Sequence, residues 1–363
     1  MGNAKIPARI TRRQALTTGA VSACAFLGAG SSDAAGKEET AHSMGTGRHG
    51  SGWSRGPDRD RVRDLEPGPT PVRLACSSSK TRLWYPRETS ITEAVKNIRS
   101  QGYTSAGTSY RADPKNEWLT CPELDITELK KALRDYDVEF FDMMVWTNLI
   151  HPDEKTRQEN LKYVAENVEA AERCGVRQVC ACTGSCDPEY YIAMHPDNWT
   201  KETWKRTVDS VRQILRDTSG CTTALGMEAA VTTNLDGPVA HKRLMEDVGD
   251  PRCKVTLDAT NMFSVANYYH STEMLEMCFD MLGEDILSCH GKDTWIERDK
   301  MLALLTMKPA GQGVQDYETY LVWMSRMKWP RTLLLEFAKD EEYPAAKAFV
   351  EETAKRVGVK IYG

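Results

Sequence analysis

The chain has 363 residues, 40% hydrophobic and 27% charged, the balance of a globular protein rather than a disordered or fibrous one. A formal net charge of -5 argues against a general nucleic-acid binder, and no apolar run reaches the ~18 residues of a membrane span. The length admits one large domain or two average ones, and either can bury a core without bridging its 11 cysteines.

The first segment, RITRRQALTTGAVSACAFLGAG, sets Arg12-Arg13 before a weakly apolar run, Ala15 to Leu27. SSDAA then supplies small residues suited to cleavage near Ala34 or Ala35. Residues 1–35 are therefore read as a twin-arginine-type signal peptide, with the twin-arginine export machinery as partner and a periplasmic or exported destination. A lipoprotein anchor at Cys24 is the less favoured alternative, because apolar AFLGAG continues past it. Residues 36–70 hold almost no aliphatic side chains, so they cannot offset the entropy of ordering and read as a disordered linker.

From residue 71 to 363 strands and helices alternate. Predicted strands are VRLAC (72–76), YTSAG (103–107), VEFFDMMVW (138–146), VRQVCACTG (176–184), TALGMEAAV (223–231), KVTLDATNM (254–262), ILSCHGKD (286–293) and RTLLLEFA (331–338). Helical periodicity lies between them, in SITEAVKNIRSQG, DITELKKALRDYD, DEKTRQENLKYVAENVEAAERCG, TKETWKRTVDSVRQILRD, TEMLEMCFDMLG, YETYLVWMSRMK and PAAKAFVEETAKRVG. Ser90 and Glu93 carry capping-box spacing. Eight strand–helix units over about 290 residues predict a single (β/α)8 TIM barrel of the α/β class. An open doubly wound sheet is the competitor, but CSSSKTR after the first strand is no phosphate-binding loop. CACTGSC lacks the CxxC pairing of structural zinc, and Cys180 and Cys182 read as one face of a buried strand.

Catalysis in such a barrel sits at the C-terminal strand ends. Strand five brings Glu228 there, strand six Asp258, strand seven His290 and strand eight Glu336. A lone strand-end carboxylate reads most simply as a cap or salt bridge. Four metal-capable residues on consecutive strands are costly to bury unless a divalent cation is shared. Two Glu, one Asp and one His form a hard, mostly oxygen site that suits manganese, magnesium or cobalt, with zinc also compatible. Lys292 reads equally well as a rim salt bridge or a substrate contact.

These segments resemble the sugar phosphate isomerase/epimerase proteins of the xylose isomerase-like TIM-barrel superfamily. The resemblance runs from about residue 72 to the C-terminus. It is carried by GMEAAVTTNLDGP, VTLDATNMF, SCHGKD, PAGQGVQDYETYL and LLLEFAKDEEYPAAKAFV. It implies one divalent metal ion, most often Mn2+, bound by Glu228, Asp258, His290 and Glu336. It also implies that Glu228 and Glu336 exchange protons with carbon on opposite faces of the substrate. Related ketose epimerases carry a His three residues after the metal Asp, where this chain has Asn261. They also carry an Arg after the His-x-Lys-Asp region, for which Arg298 is a loose match.

The chemistry so implied is loss of a proton beside a carbonyl through a metal-stabilised enediolate. Return of the proton gives isomerisation or epimerisation; loss of a β-leaving group gives a lyase, for instance on a 3-keto-glycoside. Export favours a non-phosphorylated sugar or keto-sugar as the small-molecule partner, and a homo-oligomer is compatible with the fold. Expected substrate contacts are Asn261, Lys292, His151, His195 and Trp146; Trp84, Trp199, Trp295 and Asn148 lie in the same loops. An endonuclease of the same superfamily would need more histidines than His151, His195, His241 and His270 supply. A non-catalytic sugar-binding protein would not need Glu228 and Glu336 intact.

Overall fold

The computed structural model describes residues 65–77, 90–109 and 125–363, without the side chains of residues 108 and 109. The expected signal peptide, most of the linker and Trp84 lie outside the described residues. Eight strands form one parallel sheet: β1 (Arg73–Cys76), β2 (Ser105–Ser109), β3 (Glu139–Val145), β4 (Gln178–Cys182), β5 (Ala224–Glu228), β6 (Cys253–Leu257), β7 (Ile286–Gly291) and β10 (Thr332–Leu335). Their order is β1-β10-β7-β6-β5-β4-β3-β2. The seam between β1 and β2 is drawn together by Thr104 N donating to Leu74 O at 3.1 Å and by Arg73 Nη1 donating to Thr104 O at 3.0 Å. The result is a nearly closed TIM barrel, as the alternation in the sequence predicts.

Helices α1 (Ile91–Ser100), α2 (Ile126–Asp135), α3 (Glu154–Cys174), α4 (Lys201–Asp217), α5 (Pro238–Val248), α6 (Ser271–Leu282), α7 (Tyr317–Ser325) and α8 (Tyr343–Arg356) connect the strands. Their starts are chemically marked. Ser90 accepts from Glu93 N at the head of α1, Asp125 from Thr127 N and Glu128 N, and Asp153 from Thr156 N. Each cap satisfies donors that the first helical turn leaves open. Helix α5, beginning at Pro238 and closing at left-handed Gly249, is absent from the sequence expectation. Its first turn lacks a side-chain cap, so the start signal is weak.

Two further departures occur. The last residues of the expected linker are folded onto the barrel: Leu65 packs against the core, and Gly68 N donates to Ser325 Oγ at 2.8 Å. A Cβ at Gly68 would stand 2.2 Å from Ser325 O, so only glycine permits this approach. The predicted seventh strand (286–293) also divides. After β7 the chain turns into an antiparallel hairpin, β8 (Asp293–Ile296) and β9 (Leu305–Lys308), that stands apart from the barrel sheet.

Candidate active site and metal centre

Parallel register brings the four strand-end residues together. Glu228 is the last residue of β5, and Asp258 follows β6 directly; His290 lies in β7 opposite Leu334, and Glu336 follows β10. Their exposures are 4%, 0%, 0% and 8%. Three carboxylate oxygens surround one imidazole nitrogen: Glu228 Oε2 at 3.4 Å, Glu336 Oε1 at 3.7 Å and Asp258 Oδ2 at 3.8 Å from His290 Nδ1. Neither ring nitrogen of His290 has a hydrogen-bond partner, and Asp258 Oδ1 has none. Buried polar atoms left unpaired in this way are rare and point to an ion or solvent between them.

The donor set fits a divalent cation. Glu228, Asp258 and His290 each offer a ligand atom, all within 4.8 Å of one another. Atoms bound to one ion at ~2.0–2.2 Å stand a few ångströms apart, as these do. Carboxylate oxygens and one imidazole suit a hard or borderline ion. Asp142, Cys180 and His290 form a second such group just beneath.

Electrostatics bind the cluster to Lys292, which is 1% exposed. Its Nζ lies 2.5 Å from Asp258 Oδ2 and 2.7 Å from Glu336 Oε1. Burial would lower the lysine, but the Asp258 and Glu336 charges overcome it and hold it above its ordinary value. Burial would likewise raise Asp258, yet Lys292 and His290 hold it below the usual carboxylate range. Burial pushes the Glu228 carboxyl up to about 8; Asp258 and Glu336 add to this, against the pull of His290 and Lys292. His290 stands above its ordinary value because Glu228 and Glu336 outweigh the cost of its burial. Two carboxyls in one cluster are thus pushed in opposite directions, as in sites that move protons.

The expected substrate contacts divide. Asn261 donates from Nδ2 to Glu228 Oε1 at 2.5 Å, and Asn261, Lys292 and Trp146 line a cavity of about 820 Å³ above the cluster. His151 and His195 are not among its lining residues. The ring nitrogens of His151 sit 3.3 and 3.2 Å from the carbonyls of Asp153 and Pro188. His195 caps the short 3-10 helix Pro196–Trp199 through Asp197 N. Both stabilise local backbone, a role sequence position cannot separate from ligand contact. Trp199 and Trp295 also fall outside the lining, and Arg298 stacks over Trp295 at 4.6 Å. Asn148 holds the loop after β4, donating to Ser185 O and accepting from Ser185 N.

Several neighbours escaped the sequence reading. Asp142, fully buried in β3, places Oδ2 3.8 Å from His290 Nε2, and Gln178 and Ser288 donate to that oxygen. A charged residue inside FFDMM was the available signal. Cys180 Sγ lies 3.3 Å from Glu228 Oε2. Asp293 takes no part in the cluster: Oδ1 accepts from Thr294 N and Gln315 N, and Oδ2 from Gly311 N. It thereby pins PAGQGVQ (309–315), and the next residue, Asp316, caps α7 through Thr319 N at 3.1 Å. A Cβ at Gly313 would meet Asp293 Oδ1 at 2.3 Å. Phe337 holds φ +55°, strained for an aromatic residue, with its ring 4.3 Å from Lys292 Nζ.

Residues 95–355 match the family described as xylose isomerase-like TIM barrel. No curated protein matches the chain in sequence. Among solved structures, an L-ribulose 3-epimerase is 14% identical with a TM-score of 0.56, over 79% of this chain and 95% of its own. A xylose isomerase-like TIM-barrel protein from Mycobacterium smegmatis, in complex with magnesium, is 12% identical with a TM-score of 0.55, over 79% and 97%. The 3-keto-D-glucoside 4-epimerase of E. coli is 12% identical with a TM-score of 0.54, over 77% and 99%. At these identities the likeness establishes the fold.

Proposed function

Because the chain belongs to the xylose isomerase-like TIM-barrel family, we propose that it is a divalent-metal-dependent sugar isomerase or epimerase. It moves a proton on the carbon beside a carbonyl of a non-phosphorylated sugar or keto-sugar. The observation that carries this reading is the convergence of Glu228, Asp258 and Glu336 oxygens on an unpaired His290 Nδ1 at the floor of a cavity. Epimerases of a ketose and of a keto-glucoside among the solved structures of this fold support it.

Glu228, Asp258, His290 and Glu336 would hold the ion, Mn2+ first and Mg2+, Co2+ or Zn2+ as further fits to the donors. Bound there, it supplies Lewis-acid polarisation of the substrate carbonyl. Glu228 and Glu336 are the acid/base pair. Lys292 engages Glu336 Oε1, so Oε2 is the oxygen left to take a proton. Asn261 engages Glu228 Oε1 and fixes that carboxyl's rotation. Lys292 is the one cation among the described lining residues, and both its carboxylate partners are inside the cluster. The charge of Lys292 is thus already matched among the described residues, which supports a non-phosphorylated substrate. We extend the proposal to export through residues 1–35, with a periplasmic site of action.

The test is a panel of free ketoses, 3-keto-sugars and 3-keto-glycosides in deuterated water, with and without added Mn2+, read by mass spectrometry. Metal-dependent uptake of one deuterium at carbon is expected. Release of a substituent in place of label would mark a lyase on the same residues. No exchange on any member of the panel would overturn the reading.

A further inference from the structure

The cavity above the cluster has two chemically distinct halves. Its floor is polar and closed to solvent: Glu228, Lys292 and Glu336 are 4%, 1% and 8% exposed. Its outer wall carries Trp146, Tyr190, Ile192, Leu305, Met307 and Phe337. Tyr190, Met307 and Phe337 there are 57%, 46% and 55% exposed. At about 820 Å³ the cavity lies toward the upper end of the range for drug-sized ligands, ~300–1,000 Å³. A six-carbon sugar at the floor leaves most of it empty.

Two features show that the apolar wall is built rather than incidental. Leu305 and Met307 come from the β8–β9 hairpin, which pairs with no strand of the barrel. Asp293, at the foot of that hairpin, ties it to the 311–315 loop through two backbone amides, Gly311 N and Gln315 N. Phe337, directly after Glu336, holds left-handed backbone with its ring over the Lys292 ammonium. Strain of this kind persists where the surroundings enforce it, commonly beside a ligand. Apolar side chains left half in water at a cavity mouth gain when a ligand covers them.

We infer that the substrate is amphipathic: a sugar or keto-sugar bearing an apolar, preferably aromatic, substituent. The sugar meets Glu228, Asn261, Lys292 and Glu336, and the substituent lies against Tyr190, Leu305, Met307 and Phe337. This assignment rests on the reading of the floor as a sugar site. The aromatic faces of Trp146 and Tyr190 suit a planar group, and Leu305 and Met307 add flexible apolar contact in the same lining.

The test is direct binding to the full chain, loaded with Mg2+, followed by calorimetry. The probes are methyl β-D-glucoside, phenyl β-D-glucoside and phenol alone. The phenyl glucoside is expected to bind at least ~10-fold more tightly than the methyl glucoside, the scale on which an apolar group the size of a ring is discriminated. In Tyr190→Ser and Met307→Glu, both at exposed positions, its affinity should fall toward that of the methyl compound. Mg2+ binding in the variants serves as the folding control. Equal affinity for the two glucosides, or no binding of either, overturns the apolar subsite. Tight binding of phenol with no contribution from glucose overturns the sugar half and keeps the wall. Failure of deuterium exchange together with a retained phenyl preference would sink the proposed reaction and leave this inference standing.

Discussion

Lys292 Nζ lies 2.7 Å from Glu336 Oε1, an ion pair between the ends of β7 and β10 in which the lysine is almost wholly closed off from solvent. The same ammonium sits 2.5 Å from Asp258 Oδ2. It is therefore a buried cation held inside the carboxylate cluster. Lys292→Met keeps the length of the side chain and removes the charge. Taking one partner from a buried pair costs roughly 3–5 kcal/mol, because the other is left uncompensated. Chemical denaturation of the metal-stripped variant should show a loss of that order. Added Mn2+ should recover more stability in the variant than in the native chain, since a second cation takes over part of the role. A variant as stable as the native chain without metal would show that the pair is energetically neutral.

Asp142 faces the far side of His290, with Oδ2 3.8 Å from Nε2. At that distance the contact is electrostatic rather than a hydrogen bond, and loss of a carboxylate beside a ligating imidazole typically costs 10–100-fold in metal affinity. Asp142→Asn preserves shape and should weaken Mn2+ binding by about that factor, with an unchanged melting temperature in the absence of metal. Native affinity in the variant would remove Asp142 from the site.

His241 supplies one pH-dependent term of stability. It is 1% exposed, with Nε2 3.0 Å from Met227 O and Nδ1 3.2 Å from Gly237 O. A neutral ring donates through one nitrogen only, and burial lowers its pKa to about 4. Stability from this histidine is present above its unfolded value of ~6.5 and is lost as pH falls toward about 4. At ~1.4 kcal/mol per tenfold the full loss is about 3 kcal/mol. Unfolding free energies measured between pH 7 and 4 should fall less steeply in His241→Gln than in the native chain. Parallel slopes would assign the acid sensitivity elsewhere.

The barrel was legible because most of its strands are short apolar runs, β2 (SAGTS) being the exception, and because Ser90, Asp125 and Asp153 mark helix starts. Glu228, Asp258, His290 and Glu336 were legible because strand-end charge is conspicuous after Ala224–Met227 or Thr332–Leu335. His151 and His195 were not separable from site residues, because loop length says nothing of which way a ring turns. Asp142 and the β8–β9 hairpin were missed for opposite reasons. Asp142 hides in an apolar strand, and the hairpin's Thr294–Ile296 reads as a continuation of β7.

Export is testable on its own. Arg12-Arg13→Lys-Lys should hold the precursor in the cytoplasm of the producing cell, measured by fractionation, where the native chain is expected to reach the periplasm. Equal periplasmic yield would refute the twin-arginine reading of residues 1–35.

Glu228 and Glu336 are expected to carry protons to and from substrate carbon. Glutamine at either position keeps the size and one ligand oxygen but no basic carboxylate. The deciding measurement is deuterium exchange into substrate by Glu228→Gln and Glu336→Gln, at matched Mn2+ occupancy. General acid/base groups contribute ~10²–10⁴-fold, so exchange should fall by at least ~10² in both variants if two faces are used, or in one if the reaction is an elimination. Near-native exchange in both, with Mn2+ bound, would show that neither glutamate is the proton-transfer group.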